Sequence, residues 1–300
     1  MTRILVTGAA GSTGLATVQA LRGSDVEVRA LVHRLDARAE RLRELGAEVV
    51  IGDLLNFDSV VSAMDAVDAA YFVYPVHPRL IDATAYFAQA AWEASVRAIV
   101  NMSQRPARRE SKSHASFNHW IAERIFDTAD VPVTHLRPSL FADWLLYAGQ
   151  VDRIIDTSVL ALPFGESRFA PIAAEDQGRV IATVLADPSP HAGQVYYLNG
   201  PEVMTGKTIA EAVGDALGRT ISYYPIPIAD FQAIVTDIPY LSTFFAQHIG
   251  AVADDLANGV FESTNTTVED ITGVAPMSIR DFVRLHLDEF APRGPVGDAS

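Results

Sequence analysis

Short apolar runs alternate with segments of helical periodicity through the first half of the chain. Six runs rich in branched and other apolar residues predict buried strands over 3–6, 26–32, 48–51, 68–74, 97–102 and 133–137. Between them, apolar residues recur every three or four positions and predict helices over 15–21, 37–45, 80–94 and 114–128, with another that begins near Phe57. Strands that alternate with helices predict an α/β fold, with a parallel sheet covered on both faces.

The pattern changes after Pro138. Residues beyond it predict an aromatic-rich segment over 139–149, an irregular apolar stretch over 160–165, a helix that contains Asp176 and ends near 185, a strand over 194–198 and a helix over 208–217. The tail, 291–300, is rich in proline and glycine, and we expect it to be disordered.

Three glycines lie where the first predicted strand passes into the first helix. Gly8, Gly11 and Gly14 occur at intervals of three. Glycine tolerates positive φ and lets the backbone approach a ligand closely, and the N-terminus of the following helix binds phosphate. The spacing alone also fits a tight turn without a ligand. Its position between a strand and a helix favours a dinucleotide-binding turn, to which Ser12 and Thr13 contribute.

The end of the second predicted strand indicates which dinucleotide is bound. A cation there pairs with a 2′-phosphate, whereas an acidic residue accepts hydrogen bonds from the ribose 2′-hydroxyl. This chain has His33 and Arg34, followed by Arg38 one helical turn later. These residues favour NADP (NADPH) over NAD. The alternative is that Arg34 and Arg38 only begin a solvent-exposed helix.

Further candidate cofactor contacts follow the next three strands. Asp53 is placed to accept a hydrogen bond from the adenine amino group, with Leu54 packed on the ring. Asp53 fits equally well as the N-cap of the helix that begins near Phe57. Tyr74 and Ser103 follow the fourth and fifth strands, at the edge where doubly wound sheets bind their ligands.

Composition and charge limit the classes of function. Apolar residues make up 49% of the chain and charged residues 20%, as in globular proteins. The net charge of −14 argues against nucleic acid or an anionic membrane as partner. The lack of cysteine excludes disulfides and thiolate catalysis, and no His, Asp or Glu spacing predicts a metal site. Without a signal peptide or an apolar run of ~20 residues, we expect a cytoplasmic protein.

Several stretches, taken in order, resemble the NmrA-like group of atypical short-chain dehydrogenases/reductases. Besides the glycine turn, they are Gly-Asp-Leu at 52–54, Thr-His-Leu-Arg-Pro at 134–138, Phe-Ala-Pro-Ile at 169–172 with Asp176, Leu-Asn-Gly-Pro at 198–201, and Thr-Gly at 272–273 with Pro276. The resemblance implies a Rossmann-type doubly wound domain over 1–153, to which the strand 194–198 is added. It also implies a smaller mixed α/β substrate-binding domain over 154–290, with cofactor and substrate in the cleft between them.

The predicted helix before the sixth strand departs from the wider family. Typical short-chain dehydrogenases carry Tyr-x-x-x-Lys there, and the lysine lowers the pKa of the tyrosine that protonates the carbonyl oxygen. The register places Ala115 and His119 at these two positions. His119 is therefore the candidate catalytic residue, because imidazole titrates near neutrality. The alternatives are a neutral histidine that binds the nicotinamide ribose, or a polar helix residue without a functional role.

The expected function follows from these residues and from the resemblance. His77, Phe141, Trp144 and Tyr147 are suited to line a pocket for a flat substrate, although they fit equally well into a domain interface. We expect an NADPH-dependent oxidoreductase for a small quinone-like or aromatic molecule, since a reduced quinone needs less help from a protein acid. The alternatives are an NAD(P)-binding redox sensor that acts through a protein partner, or a non-redox step such as isomerisation. The oligomeric state stays open.

Overall fold

The computed structural model describes residues 2–236 and 243–291. Within them the strands are β1 (Thr2–Val6), β2 (Val26–Val32), β3 (Glu48–Ile51), β4 (Ala69–Phe72), β5 (Ala98–Met102), β6 (Val133–Pro138), β7 (Val159–Leu162), β8 (Arg168–Phe169), β9 (Val195–Leu198), β10 (Met204–Thr205) and β11 (Ser222–Pro225). The helices are α1 (Ser12–Leu21), α2 (Ala37–Glu44), α3 (Phe57–Ala63), α4 (Leu80–Glu93), α5 (His114–Asp127), α6 (Ala148–Thr157), α7 (Ala174–Ala186), α8 (Gly206–Leu217), α9 (Ile228–Thr236), α10 (Thr243–Ala257), α11 (Thr267–Thr272) and α12 (Ile279–Leu285).

Seven of these strands form one parallel sheet in the order β3-β2-β1-β4-β5-β6-β9. The order reverses between β1 and β4, so the chain crosses to both faces of the sheet and leaves a crevice at the carboxyl ends of these two strands. Val6, the last residue of β1, pairs with Ala30 on one side and Tyr71 on the other. The predicted Rossmann-type doubly wound sheet is confirmed, and the glycine turn begins at its switch point.

Among residues 2–236 and 243–291, buried apolar side chains form three clusters. The first includes side chains from α1, α2 and α7 on one face of the sheet, and the second includes those from α3, α4 and α5 on the other face. The third joins α6, α8, α10 and α12 with the short strands of the second half of the chain. It begins with Ala142 and Leu145, before the domain boundary predicted at residue 153, and that boundary stays a prediction.

One predicted segment has a different structure. The stretch 160–165, expected to be irregular, begins with β7, which pairs in parallel with β11. A short apolar run without alternation does not distinguish a strand from a loop, and its partner lies about 60 residues later in the chain.

Three further expectations concern the C-terminal tail, membrane-spanning helices and metal sites. The predicted disordered tail lies outside the described residues, except for Ala291. None of the helices in the described ranges is both long and apolar enough to cross a bilayer. Residues 2–236 and 243–291 contain no group of three or more His, Asp or Glu side chains placed to hold a metal ion.

Helices α1 and α7 meet through a glycine. A Cβ added to Gly178 would lie 2.5 Å from the carbonyl carbon of Ala16 and 2.6 Å from its Cβ. The backbone of α1 cannot yield without moving the turn before it. This contact therefore sets how closely α7 lies beside the helix that starts at the switch point.

We predict that Gly178→Ala destabilises the protein by about 1–3 kcal/mol, because overpacking outweighs the better helix propensity of alanine. Gly149→Ala is the matched control, since a Cβ on this helical glycine meets nothing within 4 Å. The control is expected to gain up to about 1 kcal/mol. Urea unfolding measures both, and an equal gain in the two variants would contradict the packing argument.

Candidate functional site

The turn between β1 and α1 needs glycine because the backbone folds back on itself. Gly8 has a φ of +54°, and a Cβ there would lie 2.6 Å from Cγ1 of Val73. A Cβ on Gly14 would lie 2.3 Å from the carbonyl oxygen of Gly8. The N–H of Gly11 donates to that same oxygen at 2.9 Å and closes the turn. The backbone segments of this turn therefore lie very close together at the point where the strand order of the sheet reverses.

The N-terminus of α1 carries no side-chain cap. Gly11 is the N-cap residue, and the first turn contains no acidic side chain. Gly11 and Ser12 are exposed, whereas Thr13 is buried with its hydroxyl 2.8 Å from that of Tyr71. The N–H groups of the first turn and the Ser12 hydroxyl are therefore the groups able to hold a pyrophosphate. Thr13 can contribute its N–H, since its hydroxyl has a partner inside the protein.

Sequence reasoning missed an acidic residue that follows β2. Asp36 caps α2 by accepting the N–H of Arg38 at 3.0 Å. Its Oδ2 also lies 2.6 Å from Nη2 of Arg38 and 3.5 Å from Nε of Arg34. The hydrogen bond from Arg38 lowers the pKa of Asp36 to about 2. His33 and both arginines are exposed, but a 2′-phosphate would compete with Asp36 for the arginines. Asp as a preferred N-cap residue was the available signal.

Asp53 does not cap the helix that follows it. The cap of α3 is Asn56, whose side chain accepts the N–H of Ser59 at 3.0 Å. The carboxylate of Asp53 instead accepts the N–H of Leu55 at 2.8 Å within the loop. The prediction of Asp53 as a cap was wrong because this loop is long enough to place a second polar residue at the helix start. Its role towards adenine stays a prediction.

The end of β4 brings other predicted contacts to the same place. Leu54 and Tyr74 both pack against the second apolar cluster. Partial burial and the charge of Asp53 raise the pKa of Tyr74, so these residues share one edge of the site. His77 meets the Tyr74 ring edge-on at a centroid distance of 6.1 Å, and its Nδ1 accepts the N–H of Arg79. It is exposed at the start of α4.

Ser103 forms a hydrogen bond with one member of a buried ion pair, Glu123–Arg137. Its hydroxyl donates to Glu123 at 2.5 Å. Glu123 is fully buried in α5, and Arg137 of β6 donates to it from two nitrogens at 2.8 and 2.6 Å. Ser103 as a cofactor contact stays a prediction, and its hydroxyl would have to leave Glu123 to fulfil that role.

His119 is a buried residue of α5. Its Nδ1 is buried without a hydrogen-bond partner among the described residues. Burial, and to a smaller extent His248 of α10, lowers the pKa of His119 to about 3. An enclosed imidazole is costly to charge, which argues against a ring that titrates near neutrality, and the catalytic role of His119 stays a prediction. A neutral His119 can still hydrogen-bond a ribose hydroxyl, which was the alternative.

The aromatic segment after β6 divides between core and cleft. Phe141 forms a bridge with Ile172 and packs against the first apolar cluster. Trp144 packs against the third cluster. Tyr147 is 67% exposed. Phe141 and Trp144 thus contribute to the cores, as the interface alternative expected. Tyr147 is the most exposed of the three aromatic residues in this segment.

Asp143 is a second residue that sequence reasoning missed. It lies in a 3-10 helix, Ala142–Leu146, and is only 7% exposed. Its carboxylate accepts the N–H of Ala174 at 3.0 Å. Burial and the nearby Glu175 raise the pKa of Asp143 to about 6. The available signal was a lone aspartate among aromatic residues just after the sixth strand.

We predict that Gly11→Asp abolishes NADPH binding while the fold is retained. Gly11 has a φ of −92°, and a Cβ there meets only the Gly8 oxygen at 3.3 Å. Asp is a favoured N-cap residue, so the free energy of unfolding should be unchanged or rise by about 1 kcal/mol. Its charge should repel a pyrophosphate. NADPH fluorescence and urea unfolding test this, with Gly149→Asp as the control. Retained binding would contradict the phosphate role of the turn.

We predict opposite effects for the two charges after β2. Arg34→Ala should weaken NADPH about tenfold relative to NADH, because only NADPH carries the 2′-phosphate. Asp36→Asn should strengthen NADPH relative to NADH, since Asn still caps the helix but no longer competes for the arginines. Fluorescence titrations measure both cofactors, with the exposed Arg41→Ala as control. Equal losses of NADPH and NADH in Arg34→Ala would exclude the 2′-phosphate role.

Comparison with known proteins connects this site to a family. An NAD(P)H azoreductase from Xenophilus azovorans is 26% identical over 292 residues, which cover 96% of this chain and 99% of that protein. The NADPH complex of the quinone oxidoreductase QOR2 from Escherichia coli superposes with a TM-score of 0.79 at 22% identity, covering 95% of this chain and 99% of that one. The NAD complex of Nmra, a negative transcriptional regulator, superposes with a TM-score of 0.76 at 16% identity, covering 96% of each chain. The NmrA-like family profile matches residues 1–270, and the chain therefore belongs to the NmrA-like family.

Proposed function

We propose that the protein is an NADPH-dependent oxidoreductase that acts on a small quinone-like or aromatic acceptor. The observation that carries the proposal is the uncapped N-terminus of α1, held at the sheet switch point by Gly8, Gly11 and Gly14. Bound NADPH supplies the hydride. The azoreductase and the quinone oxidoreductase among the similar proteins support this class of reaction.

The side chains then have separate roles towards the cofactor. The first turn of α1 binds the pyrophosphate, and Arg34 and Arg38 bind the 2′-phosphate after leaving Asp36. Asp53 and Leu54 receive the adenine. At the nicotinamide end of the cofactor, His119 hydrogen-bonds the ribose. Tyr74 and Ser103 also contact this end. The acceptor binds beside His77, Phe141, Trp144 and Tyr147.

The lack of a tyrosine proton donor limits the substrate class. Ala115 stands at the position of the tyrosine, and His119 is neutral because burial lowers its pKa to about 3. A ketone would produce a strongly basic alkoxide that needs an acid at once. A quinone produces a phenolate that is weakly basic and stable without one. A site of this kind therefore favours quinone-like acceptors over simple ketones.

The lack of the Tyr-x-x-x-Lys pair also supports a second candidate function. A protein that senses the nicotinamide pool needs the dinucleotide site but no proton donor. One structural neighbour is a negative transcriptional regulator in complex with NAD. In this alternative a protein partner, rather than a reduced product, transmits the signal.

We predict that the protein oxidises NADPH rapidly with quinones and only slowly with simple ketones. NADPH absorbance, measured with a panel of quinones, azo compounds, enones, simple ketones and aldehydes, tests this prediction. His119→Ala should weaken NADPH about 3–10-fold through the loss of one hydrogen bond. The variant should leave the pH profile of kcat unchanged, because a buried ring that is already neutral releases no proton near neutral pH. The exposed His114→Ala on the same helix is the control.

Two outcomes would contradict these expectations. A limb of the kcat profile that disappears in His119→Ala would restore this residue as an acid. The lack of turnover on every acceptor, with NADPH binding confirmed in the same samples, would favour the sensor and a search for its protein partner.

A further inference from the structure

One buried side of α5 carries polar side chains. They recur every three or four residues, from the N-cap into the helix, and are Ser113, Ser116, His119 and Glu123. The most exposed of the four is His119, at 4%. Residues at this spacing lie on one side of a helix. This polar side of α5 faces the chain that leaves β5, because Glu123 accepts the Ser103 hydroxyl at 2.5 Å.

Gln104, the residue after Ser103, is fixed at its backbone and at the oxygen of its carboxamide. The Ser116 hydroxyl donates to Oε1 of Gln104 at 3.0 Å, and the main-chain oxygen of Gln104 accepts the N–H of Ala107 at 3.0 Å. Within residues 2–236 and 243–291, Nε2 of Gln104 has no hydrogen-bond acceptor, and the side chain is only partly buried. Because a hydroxyl occupies Oε1, the two N–H groups on Nε2 are left to serve a ligand.

This carboxamide lies at the proposed nicotinamide end of the cofactor. The N–H of Ser103 donates to the oxygen of Leu136 at 2.8 Å, so Gln104 follows directly on the paired carboxyl ends of β5 and β6. On α5, His119 lies about one turn from Ser116 on one side and about one turn from the Glu123 contact on the other. Nδ1 of His119 is buried without a hydrogen-bond partner among the described residues. A ligand bound beside His119 therefore comes within reach of the Gln104 amide.

We propose that Gln104 is a catalytic residue that donates a hydrogen bond from Nε2 to a carbonyl oxygen of the acceptor. The inference rests on the proposed function and deepens it, because it requires an acceptor, such as a quinone, whose oxygen becomes negative. The quinone gains the hydrogen and both electrons of the nicotinamide C4–H bond and becomes a hydroquinone monoanion, while NADPH is oxidised to NADP⁺. Water then supplies the second proton. The fixed amide of Gln104 stabilises the oxygen on which the charge develops.

The neighbouring side chains are less suited to this role. Ser103 donates its hydroxyl to Glu123, and Ser116 donates its hydroxyl to Gln104. Ala115, beside Ser116, has no side-chain donor, and in the proposed function His119 binds the ribose. An amide also suits an anion that forms only during the reaction, because it donates without ionising and needs little reorganisation when Ser116 already holds its oxygen.

A nitrophenol tests the donor without turnover, because its phenolate resembles the anionic product and absorbs visible light. The absorbance is measured with NADP⁺ present, at the pH where half of the free nitrophenol is ionised. On the wild type the ratio of phenolate to phenol should rise about tenfold, since a hydrogen bond to the charged form favours it. Gln104→Ala should lose this rise, and Gln104→Glu should reverse it because its carboxylate repels the phenolate. Gln19→Glu, at an exposed position of α1, makes the same change in charge and should behave as the wild type.

NADPH oxidation with a quinone gives a second measurement. Gln104→Ala should lower kcat about 10–100-fold and leave the Kd of NADPH unchanged, because the donor acts on the acceptor and not on the dinucleotide. Ser116→Ala, which releases the carboxamide oxygen, should lower kcat by a smaller factor of about 3–10. This variant also gives an independent measurement if Gln104→Ala does not fold.

The failure of this inference differs from the failure of the proposed function. A wild type that reduces quinones without raising the phenolate ratio would overturn the role of Gln104, and so would an equal ratio and an equal kcat in Gln104→Ala. In both cases the proposed oxidoreductase would stand. A wild type that binds NADPH but reduces no quinone would overturn the proposed function and, with it, this inference.

Discussion

The close approach of the backbone at the glycine turn is the constraint on which the rest of the structure depends. The chain must leave β1 and enter α1 at the place where the sheet order reverses, and a Cβ on Gly14 would lie 2.3 Å from the Gly8 oxygen. The position of α1 then sets that of α7, because a Cβ on Gly178 would lie 2.5 Å from the backbone of Ala16. The first residue of α7, Ala174, donates its N–H to a buried carboxylate, Asp143, at 3.0 Å.

Two buried carboxylates, those of Glu123 and Asp143, have different hydrogen-bond partners. Glu123 is bound by two nitrogens of Arg137 and by the Ser103 hydroxyl. Removal of one partner from such an ion pair leaves an uncompensated buried charge, so the group is part of the framework. Asp143 accepts the N–H of Ala174, and burial together with the nearby Glu175 raises its pKa to about 6.

The NmrA-like fold does not by itself decide between catalysis and sensing. The similar proteins include two reductases and a transcriptional regulator, and function depends on the site built into a common scaffold. The proposed function takes Ala115 as the tyrosine position, and burial lowers the pKa of His119 to about 3. In that proposal the remaining polar groups bind and orient a dinucleotide, and the acceptor is one whose reduced form is stable without a strong acid.

Local patterns in the sequence determined the alternating strands and helices, the glycine turn and the cationic end of β2, because each of these depends on residues close together in the chain. The tertiary structure decided what the side chains do. Only folding places Ser103 against Glu123 and Asp143 against Ala174. These contacts join residues 20 and 31 positions apart, and a pKa or a hydrogen bond depends on neighbours in space. The pairing of β7 with β11 has the same cause, since a strand takes its identity from its partner.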